Sequence, residues 1–452
     1  MSKPFRPWNP DQMFLFPPAP RDWLPENHLV YFLLDVVPQM NLQPILAPYQ
    51  ATDRGQPPYH PAMLVTVLLY GYATGVFSSR RLMARCETDA AFRVIVADDI
   101  PDFRTISDFR KRHLTALEGL FVEVLKLCAK AGLVKVGRIA LDGSKVKANA
   151  SRHKAMSYDY MLKEEKRLKQ EIKALLAQAE AADQVDDQTY GPDRRGEELP
   201  EELARRQSRL HKIREAKAAL EAEARDQARA AAAERQQAGQ PPLGPDPEQA
   251  KPEPKAQYNF TDSESQIMKV SNKGWDQCMN AQVVVNEHQI IVAADVTDAT
   301  NDKQQLQPMI EQTQQNVSAA GVQEKVKEAV ADSGFYSEAN VAYLEGQAID
   351  PYIATERLKH HEQIAAPRGR YPQGLTAKQR MARKLRTKRG RERYARRKAM
   401  VEPVFGQVKQ GRGFRQFHLR GRKKMRAEWR LVSLTHNLLK LWRHEQGQGQ
   451  QN

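Results

Sequence analysis

The sequence predicts a mixed α/β protein with an all-helical N-terminal segment and a long helical hairpin inside its strand-bearing part. Two short apolar stretches each end in an acid, at Asp142 and Asp332. This pattern is typical of strands that place a carboxylate at the edge of a sheet. From residue 276 onward, strand patterns alternate with helical ones. Between the two acids, residues 157–237 carry apolar side chains at helical spacing. These patterns favour an α/β layer that is interrupted by helices.

The N-terminal part carries helical patterns behind an extended arm. Residues 1–27 are rich in proline and aromatic residues and predict the arm, and Pro61 stands at a favourable first position of a helix. We predict that residues 28–132 form an all-helical DNA-binding domain with helix-turn-helix character. Its segment 105–113 is strongly cationic, and a solvated helix face is the alternative interpretation of that charge. The DNA-binding candidates of this segment are Arg110, Lys111 and Arg112.

The inserted hairpin and its return linker are predicted over residues 153–255. Leu168, Ile172 and Leu175 repeat at helical spacing, although Glu165 interrupts the pattern. A second helix follows a break that is rich in Gly and Pro, and another such stretch forms the linker. Neither helix carries a convergent set of polar residues, so the predicted role is structural or oligomeric.

The strand-bearing domain is predicted to consist of residues 133–152 and 256–443. Gly143 is expected to turn the backbone sharply after Asp142. A disordered tail is predicted over residues 444–452. The predicted strands are 139–141, 282–286, 289–295, 327–331 and 352–354, and the predicted helices are 301–314, 337–346 and 427–443.

The charge of the chain is concentrated in one segment. The 452 residues carry a net charge of +15, and residues 381–430 alone hold nineteen Lys and Arg against three Glu. This segment predicts a surface that docks a polyanion such as nucleic acid. No apolar run reaches the ~20 residues of a membrane span. The three cysteines lack the spacing of a zinc site or a disulfide framework, which fits a reducing cytoplasm.

Three acids could supply the ligands of a divalent metal. Phosphoryl transfer on DNA is served by two cations ~3.5–4 Å apart, held by carboxylates. Asp142 and Asp332 fit two neighbouring strand ends, and Glu402 fits a third position on a helix. Pro403 predicts that this helix begins at residue 403 with Glu402 at its cap, so that Lys409 points the same way two turns later. The alternative role for Glu402 is an ion pair with the surrounding arginines.

At these residues the chain resembles the DDE transposases of bacterial insertion sequences. Asp142 in LDGSKVKANAS resembles the first Asp of that family, and Asp332 in ADSGFYSE resembles the second. Glu402 resembles the final acid of the family's Tyr-x2-Arg-x3-Glu-x6-Lys signature. One residue more than in the signature separates Arg397 from Glu402, so Lys398 is a second candidate for the Arg position. The remaining signature positions match Tyr394 and Lys409.

The resemblance implies an RNase H-like catalytic domain, split by the hairpin after its first Asp. It implies a transposase that binds the terminal inverted repeats of a mobile element, cleaves DNA and transfers the strand to target DNA. It further implies Mg²⁺ as cofactor, with Mn²⁺ as the alternative, and a homodimer in the bacterial cytoplasm, associated with the nucleoid. The competing hypothesis is a non-catalytic DNA-binding or architectural protein, a domesticated transposase. The phosphate-binding candidates in the basic segment are Arg397, Lys398, Lys409, Arg412 and Arg415.

Three further groups are interpreted as structural. Adjacent histidines at His360 and His361 do not face one ligand on a helix and predict a polar loop. Trp275 and the pair Asn301 and Asp302 are candidates to line the path of DNA. The favoured interpretations are a core residue for Trp275 and a helix cap for Asn301 and Asp302.

Overall fold

A computed structural model describes residues 20–50, 58–97, 99–190, 201–237, 241, 246–270, 274–356, 367, 369, 372 and 374–449. The chain forms two compact units. Unit 1 comprises Met1–Val146 and Met279–Asn452, and unit 2 comprises Lys147–Cys278. Most of the predicted arm, the predicted loop around His360 and seven residues of the Pro-rich linker lie outside the described residues.

Seven helices precede the first strand within the described residues. The predicted helix at Pro61 is confirmed, with Pro61 at its first position and a left-handed Gly75 after its end (φ +84°). The cationic helix begins at Phe103 rather than at Thr105, because the Asp102 side chain caps it by accepting a hydrogen bond from Arg104 N at 2.8 Å. The helices are α1 Leu29–Val36, α2 Gln43–Gln50, α3 Pro61–Thr74, α4 Ser79–Thr88, α5 Ala90–Val96, α6 Phe103–Arg112 and α7 Leu114–Lys130, and the strand is β1 Arg138–Lys147.

Unit 2 contains the predicted helical hairpin. Its elements are β2 Ala155–Ser157, α8 Tyr158–Tyr190, α9 Glu201–Gln237, β3 Gln257–Asn259 and β4 Gln266–Lys269. β2 pairs antiparallel with β3, and β4 pairs antiparallel with the first residues of the next strand. The two helices pack through one apolar cluster, formed by Tyr158, Met161, Leu168, Leu210, Ile213, Ala216 and Leu220.

Glu165 interrupts the apolar pattern of α8 because it pairs with cations on both helices. Its carboxylate accepts hydrogen bonds from Lys217 Nζ at 2.8 Å and Arg214 Nε at 3.2 Å on α9. It also contacts Lys169, one turn further along α8. The hydrogen bonds from Lys169, Lys217 and Arg214 lower the pKa of Glu165 to about 2, although burial opposes them. Trp275 is 58% exposed in this unit, so its interpretation as a core residue is wrong.

The remaining strands and helices are β5 Trp275–Asn286, β6 Ile291–Thr297, α10 Leu306–Ala319, β7 Glu328–Ala331, α11 Glu338–Gly346, β8 Asp350–Ile353, α12 Ala377–Arg386, α13 Lys388–Gly406 and α14 Arg422–Gly449. They belong to unit 1, except that β5 begins with the last four residues of unit 2. The strands of unit 1 lie in the order β6-β5-β1-β7-β8. β5 and β6 are antiparallel, whereas β1, β7 and β8 are parallel. The predicted mixed α/β class is therefore confirmed.

The last helix, α14, packs against α7, α3 and β6 within unit 1. Its Trp429 is 1% exposed and donates a hydrogen bond from Nε1 to Gln282 O on β5 at 2.9 Å. The helix runs to Gly449, so the predicted tail from residue 444 is largely helical. The N-terminal helices belong to the same compact unit as the sheet, and their separation as a DNA-binding domain stays a prediction.

No single helix in the described ranges has the length and apolar character needed to cross a membrane. Two pairs of helices, each bent at a short break, meet the requirement when the two helices of a pair are counted as one segment. They do so by length and composition alone. They are Leu29–Gln39 with Gln43–Tyr49 and Pro61–Thr74 with Ser79–Thr88.

Candidate active site

Asp142 and Asp332 lie next to each other, where the parallel pairing of β1 with β7 ends. β1 and β7 pair in a register that matches Leu141 with Ala331, and the next residue on each strand is an acid. Ile139 to Leu141 are at most 1% exposed, so the strand that delivers Asp142 is part of the core. Acids at this edge of an α/β sheet lie where such folds bind ligands.

Gly143 does not turn the backbone, and the prediction of a sharp turn is wrong. β1 continues through Gly143 as far as Lys147. Glycine is needed here because other side chains come close to the backbone. A Cβ at this position would overlap the Gln282 amide and lie 2.7 Å from Asp302 Oδ1. It would also lie 3.0 Å from Asn280 Oδ1. The missing side chain therefore lets three polar groups reach the strand beside Asp142.

Replacing Gly143 by Ala is expected to disturb the site, because the displaced amides are buried and hydrogen-bonded. We expect a loss of about 1–3 kcal/mol in the free energy of unfolding. Urea denaturation measures this effect, with Gly119→Ala as the matched control. Gly119 lies exposed on α7 with no atom within 4 Å of an added Cβ. The free energy of unfolding of the control should be unchanged or higher by up to about 1 kcal/mol. Equal effects of the two substitutions would contradict the steric crowding at Gly143.

Asp302 belongs to this site, and the favoured interpretation of its side chain as a helix cap is wrong. It precedes a short 3₁₀ turn, but its side chain makes no capping hydrogen bond. Its Oδ1 instead accepts hydrogen bonds from Asn280 Nδ2 and Gln282 Nε2, both at 2.6 Å. A signal was available in the sequence, because Asn280 and Gln282 stand two apart in an apolar strand and must share one face. Two buried amides on one face require polar partners.

Asp142 is held by an ion pair with α13. Arg397 Nη1 donates to Asp142 Oδ2 at 2.9 Å, and the two side chains are 13% and 20% exposed. Burial raises the pKa of Asp142 to about 6, Arg397 opposes the rise, and the charges of Asp332 and Asp302 add to it. Arg397 also stacks over the Tyr394 ring at 6.0 Å. The site therefore gathers the carboxylates of Asp142, Asp302 and Asp332, and the Arg397 guanidinium binds the first of them.

Glu402 lies inside α13, so the prediction that a helix begins at Pro403 is wrong. Pro403 removes one backbone donor, but the Ala399 carbonyl that this donor would serve accepts from Gln289 Nε2 at 2.8 Å. The Glu402 side chain is exposed and makes no hydrogen bond or ion pair with the described residues. The alternative role as an ion-pair partner is thus not observed. Nor does a contact join Glu402 to Asp142 among these residues.

Lys409 reaches the site by a different route from the one predicted. Residues Gln407–Gly411 form a π-helical turn after α13, so Lys409 does not continue a regular helix. Its Nζ contacts Ser144 Oγ and donates to Lys145 O at 2.9 Å. Lys409 therefore lies along β1, next to the residues that follow Asp142.

Two predicted DNA contacts are wrong because their side chains are buried. Arg110 and Arg412 are each 7% exposed. Arg110 Nη1 donates to Tyr72 Oη and Phe77 O, both at 3.0 Å. Arg412 Nη1 donates to Thr435 Oγ1 at 2.7 Å, and burial lowers its pKa to about 9. Both arginines serve the core of unit 1.

Four other predicted DNA contacts lie at the surface. Lys398 and Arg112 are exposed. Lys111 is exposed and pairs with Asp108 at 3.2 Å. Arg415 is exposed and donates from Nε to Lys409 O at 3.2 Å. These four side chains are available to a polyanion.

Much of the basic segment pairs with acids of its own unit. The pairs are Arg389 and Arg393 with Glu328, Arg396 with Glu287, Lys384 with Asp350, Arg422 with Asp298, Arg426 with Asp295 and Arg430 with Glu118. These ion pairs attach α12, α13 and α14 to other parts of unit 1. Part of the local charge excess therefore serves the fold.

The donor atoms at the site suit a hard divalent cation. Among the described residues, no three His, Cys, Asp or Glu side chains form a ready-made metal site. However, Asn280 Oδ1 and Gln282 Oε1 are buried without a hydrogen-bond partner among these residues, and the two amides bind Asp302 next to Gly143. Carboxylate and amide oxygens are the ligands that Mg²⁺ prefers. The oxygen atoms of these side chains therefore fit a divalent metal ion as ligands.

The fold and site define a mixed α/β protein with an acidic centre at the ends of parallel strands. A family model described as a transposase domain (DUF772) matches residues 19–112, and one described as a transposase DDE domain matches residues 249–438. The chain belongs to the DDE transposases of insertion sequences. No curated protein and no solved structure matches it. Members of this family act on DNA and generally use divalent metal ions. The second match begins after Asp142, so the role of Asp142 depends on its geometry.

Proposed function

We propose that the chain is an active transposase that binds the terminal inverted repeats of its element. It cleaves one strand and uses the freed 3′-hydroxyl to attack target DNA. The observation that carries this function is the juxtaposition of Asp142 and Asp332 on adjacent parallel strands, with Arg397 bound to the first. Nothing in the described structure favours the non-catalytic alternative.

An RNase H-like architecture for the catalytic domain is part of this proposal. The strand order β6-β5-β1-β7-β8 supports it, with the antiparallel pair on one side of β1 and the parallel strands on the other. In this arrangement the central strand carries the first acid and its parallel neighbour carries the second. The inserted hairpin follows the central strand in sequence.

We propose Asp142, Asp332 and Glu402 as the acids that hold Mg²⁺, with Mn²⁺ as a substitute. When bound, the ion lowers the pKa of an attacking water and offsets negative charge at the phosphate. Asp142 and Asp332 are proposed because of their position on the sheet. Glu402 is proposed because it matches the acid of the family's signature and lies on the same helix as Arg397.

The basic side chains of the site orient the acids and accept the DNA backbone. Arg397 holds the Asp142 carboxylate in one orientation and favours its ionised form against burial. Lys409 supplies positive charge along β1, beside the scissile region of a bound strand. Lys398 and Arg415, with Lys111 and Arg112 on α6, would bind phosphates from the surface. A homodimer that bridges two DNA ends, associated with the bacterial nucleoid, completes the proposal.

Binding of end DNA is expected to weaken steeply with salt. The slope of log K against log salt approaches about −0.9 for each phosphate neutralised. Lys398→Ala should reduce this slope by about 1. The control Arg396→Ala should change it less, because Arg396 pairs with Glu287 at 3.1 Å. Fluorescence anisotropy over a salt series measures both slopes, and a flat response in the wild-type protein would rule out the phosphate-binding role.

The decisive experiment is a cleavage assay with DNA that carries the ends of the element. Purified full-length chain should nick this DNA when Mg²⁺ is present and not when EDTA is added. DNA of the same length without the ends should remain intact. Binding of the ends without any nicking, in Mg²⁺ or Mn²⁺, would favour the non-catalytic protein.

A further inference from the structure

Asp302 lies between the glycines that follow the two strand-borne acids. Its Oδ1 is 2.7 Å from the position that a Cβ of Gly143 would occupy, and its Oδ2 is 3.0 Å from the corresponding position at Gly334. Gly143 follows Asp142 directly, and Gly334 lies two residues after Asp332. Both glycines thus leave room for the same carboxylate.

The carboxylates of Asp302 and Asp332 both lie beside Gly334. Asp332 Oδ1 also lies 3.0 Å from the Cβ position of Gly334, so it is at most 6.0 Å from Asp302 Oδ2. Neither carboxylate pairs with a basic side chain in the described structure, since the guanidinium of Arg397 binds Asp142. Two carboxylates within this distance can serve as oxygen ligands of one divalent cation.

Two buried amides give an independent indication of a missing positive ligand. Asn280 and Gln282 are 0% and 1% exposed, and each donates its amide N–H to Asp302 Oδ1. These hydrogen bonds set the orientation of both amides and leave Asn280 Oδ1 and Gln282 Oε1 without a partner. A buried acceptor without a donor costs about 1–3 kcal/mol. Asn280 Oδ1 lies 3.0 Å from the Gly143 Cβ position, which Asp302 Oδ1 also approaches.

We propose that Asp302 is a fourth acid of the catalytic centre, which contributes a carboxylate to the divalent cation. Asn280 and Gln282 act as positioning residues that hold this carboxylate near Asp332. This role presupposes the metal-dependent activity proposed above, and it adds an acid outside the three that the family signature supplies. A cation bound by Asp302 and Asp332 would offset the charge of both carboxylates and accept a buried amide oxygen as ligand.

The test measures metal binding directly. Isothermal titration of the full chain with Mn²⁺ should show a 10–100-fold loss of affinity in Asp302→Asn. The matched control is Asp298→Asn, an acid four residues earlier that is 38% exposed and pairs with Arg422. The control should bind Mn²⁺ as the wild type does, and both variants should bind end DNA normally. Wild-type affinity in Asp302→Asn would overturn the role of Asp302.

A second measurement does not depend on the folding of a variant. Fe²⁺ bound to the wild-type chain, with ascorbate and peroxide, generates radicals that cut the backbone next to the ion. Cuts near residue 302 are expected together with cuts near residues 142 and 332. Cuts at the latter two alone would exclude Asp302, while the proposed transposase function would stand. Absence of Mn²⁺ binding by the wild type would instead overturn the metal-dependent function itself.

Discussion

Replacing Asp142 by Asn is expected to abolish cleavage of end-bearing DNA, with a loss of about a thousandfold or more. A divalent ion contributes several kcal/mol to phosphoryl transfer, and each 1.36 kcal/mol corresponds to a tenfold change in rate. Asparagine keeps the shape of Asp142 but removes the charge that faces Arg397 and the proposed ion. Asp332→Asn should have the same effect, as should Glu402→Gln if Glu402 is the third acid. Gel analysis of nicked DNA measures the loss.

Binding separates a catalytic role for these acids from a structural one. Anisotropy titrations should give Asp142→Asn an affinity for end DNA close to that of the wild type. Asp108→Asn is a suitable control, because Asp108 is exposed on α6 and its ion pair is with Lys111. Undiminished cleavage by Asp142→Asn would reject the metal assignment, whatever the result for Glu402.

Replacing Arg110 by Met is expected to destabilise the protein by about 3–5 kcal/mol. Arg110 donates to Tyr72 Oη, and Tyr72 Oη donates to Glu428 Oε1 at 3.1 Å. The Glu428 side chain is completely buried on α14. Methionine preserves most of the volume but leaves this carboxylate without a nearby guanidinium. Urea denaturation followed by circular dichroism measures the loss.

Arg112→Met is the matched control for that substitution. Arg112 lies two residues further along the same chain and is exposed. Its replacement should change the free energy of unfolding by less than about 0.5 kcal/mol. Conversely, it should weaken DNA binding if α6 touches phosphates. If Arg110→Met unfolds at the wild-type urea concentration and loses only DNA affinity, the buried network contributes little to stability.

The errors in the sequence-based predictions share one cause. Gly143 looks like a turn residue because glycine permits turns, yet here it makes room for side chains from β5 and from the loop after β6. Pro403 looks like the start of a helix, yet Gln289 from another part of the unit satisfies the carbonyl that it leaves free. Arg110 and Arg412 look like DNA contacts, yet buried oxygens distant in sequence surround them. Each outcome depends on a partner that local patterns do not reveal.

By itself the sequence determined the mixed α/β class, the helical hairpin and the strands that carry Asp142 and Asp332. Apolar periodicity and glycine or proline punctuation are local properties, and burial of the apolar face follows wherever the segment packs. Only the tertiary structure decided that β1 lies beside β7, that Arg397 reaches Asp142, and that Asp302 joins them. These contacts link residues that are far apart in the chain. The sequence does not distinguish a charged or amide side chain at the surface from one in a site. The partner of a polar side chain is chosen by the packing of the whole unit, because a buried polar group must be satisfied by whichever group the fold brings to it.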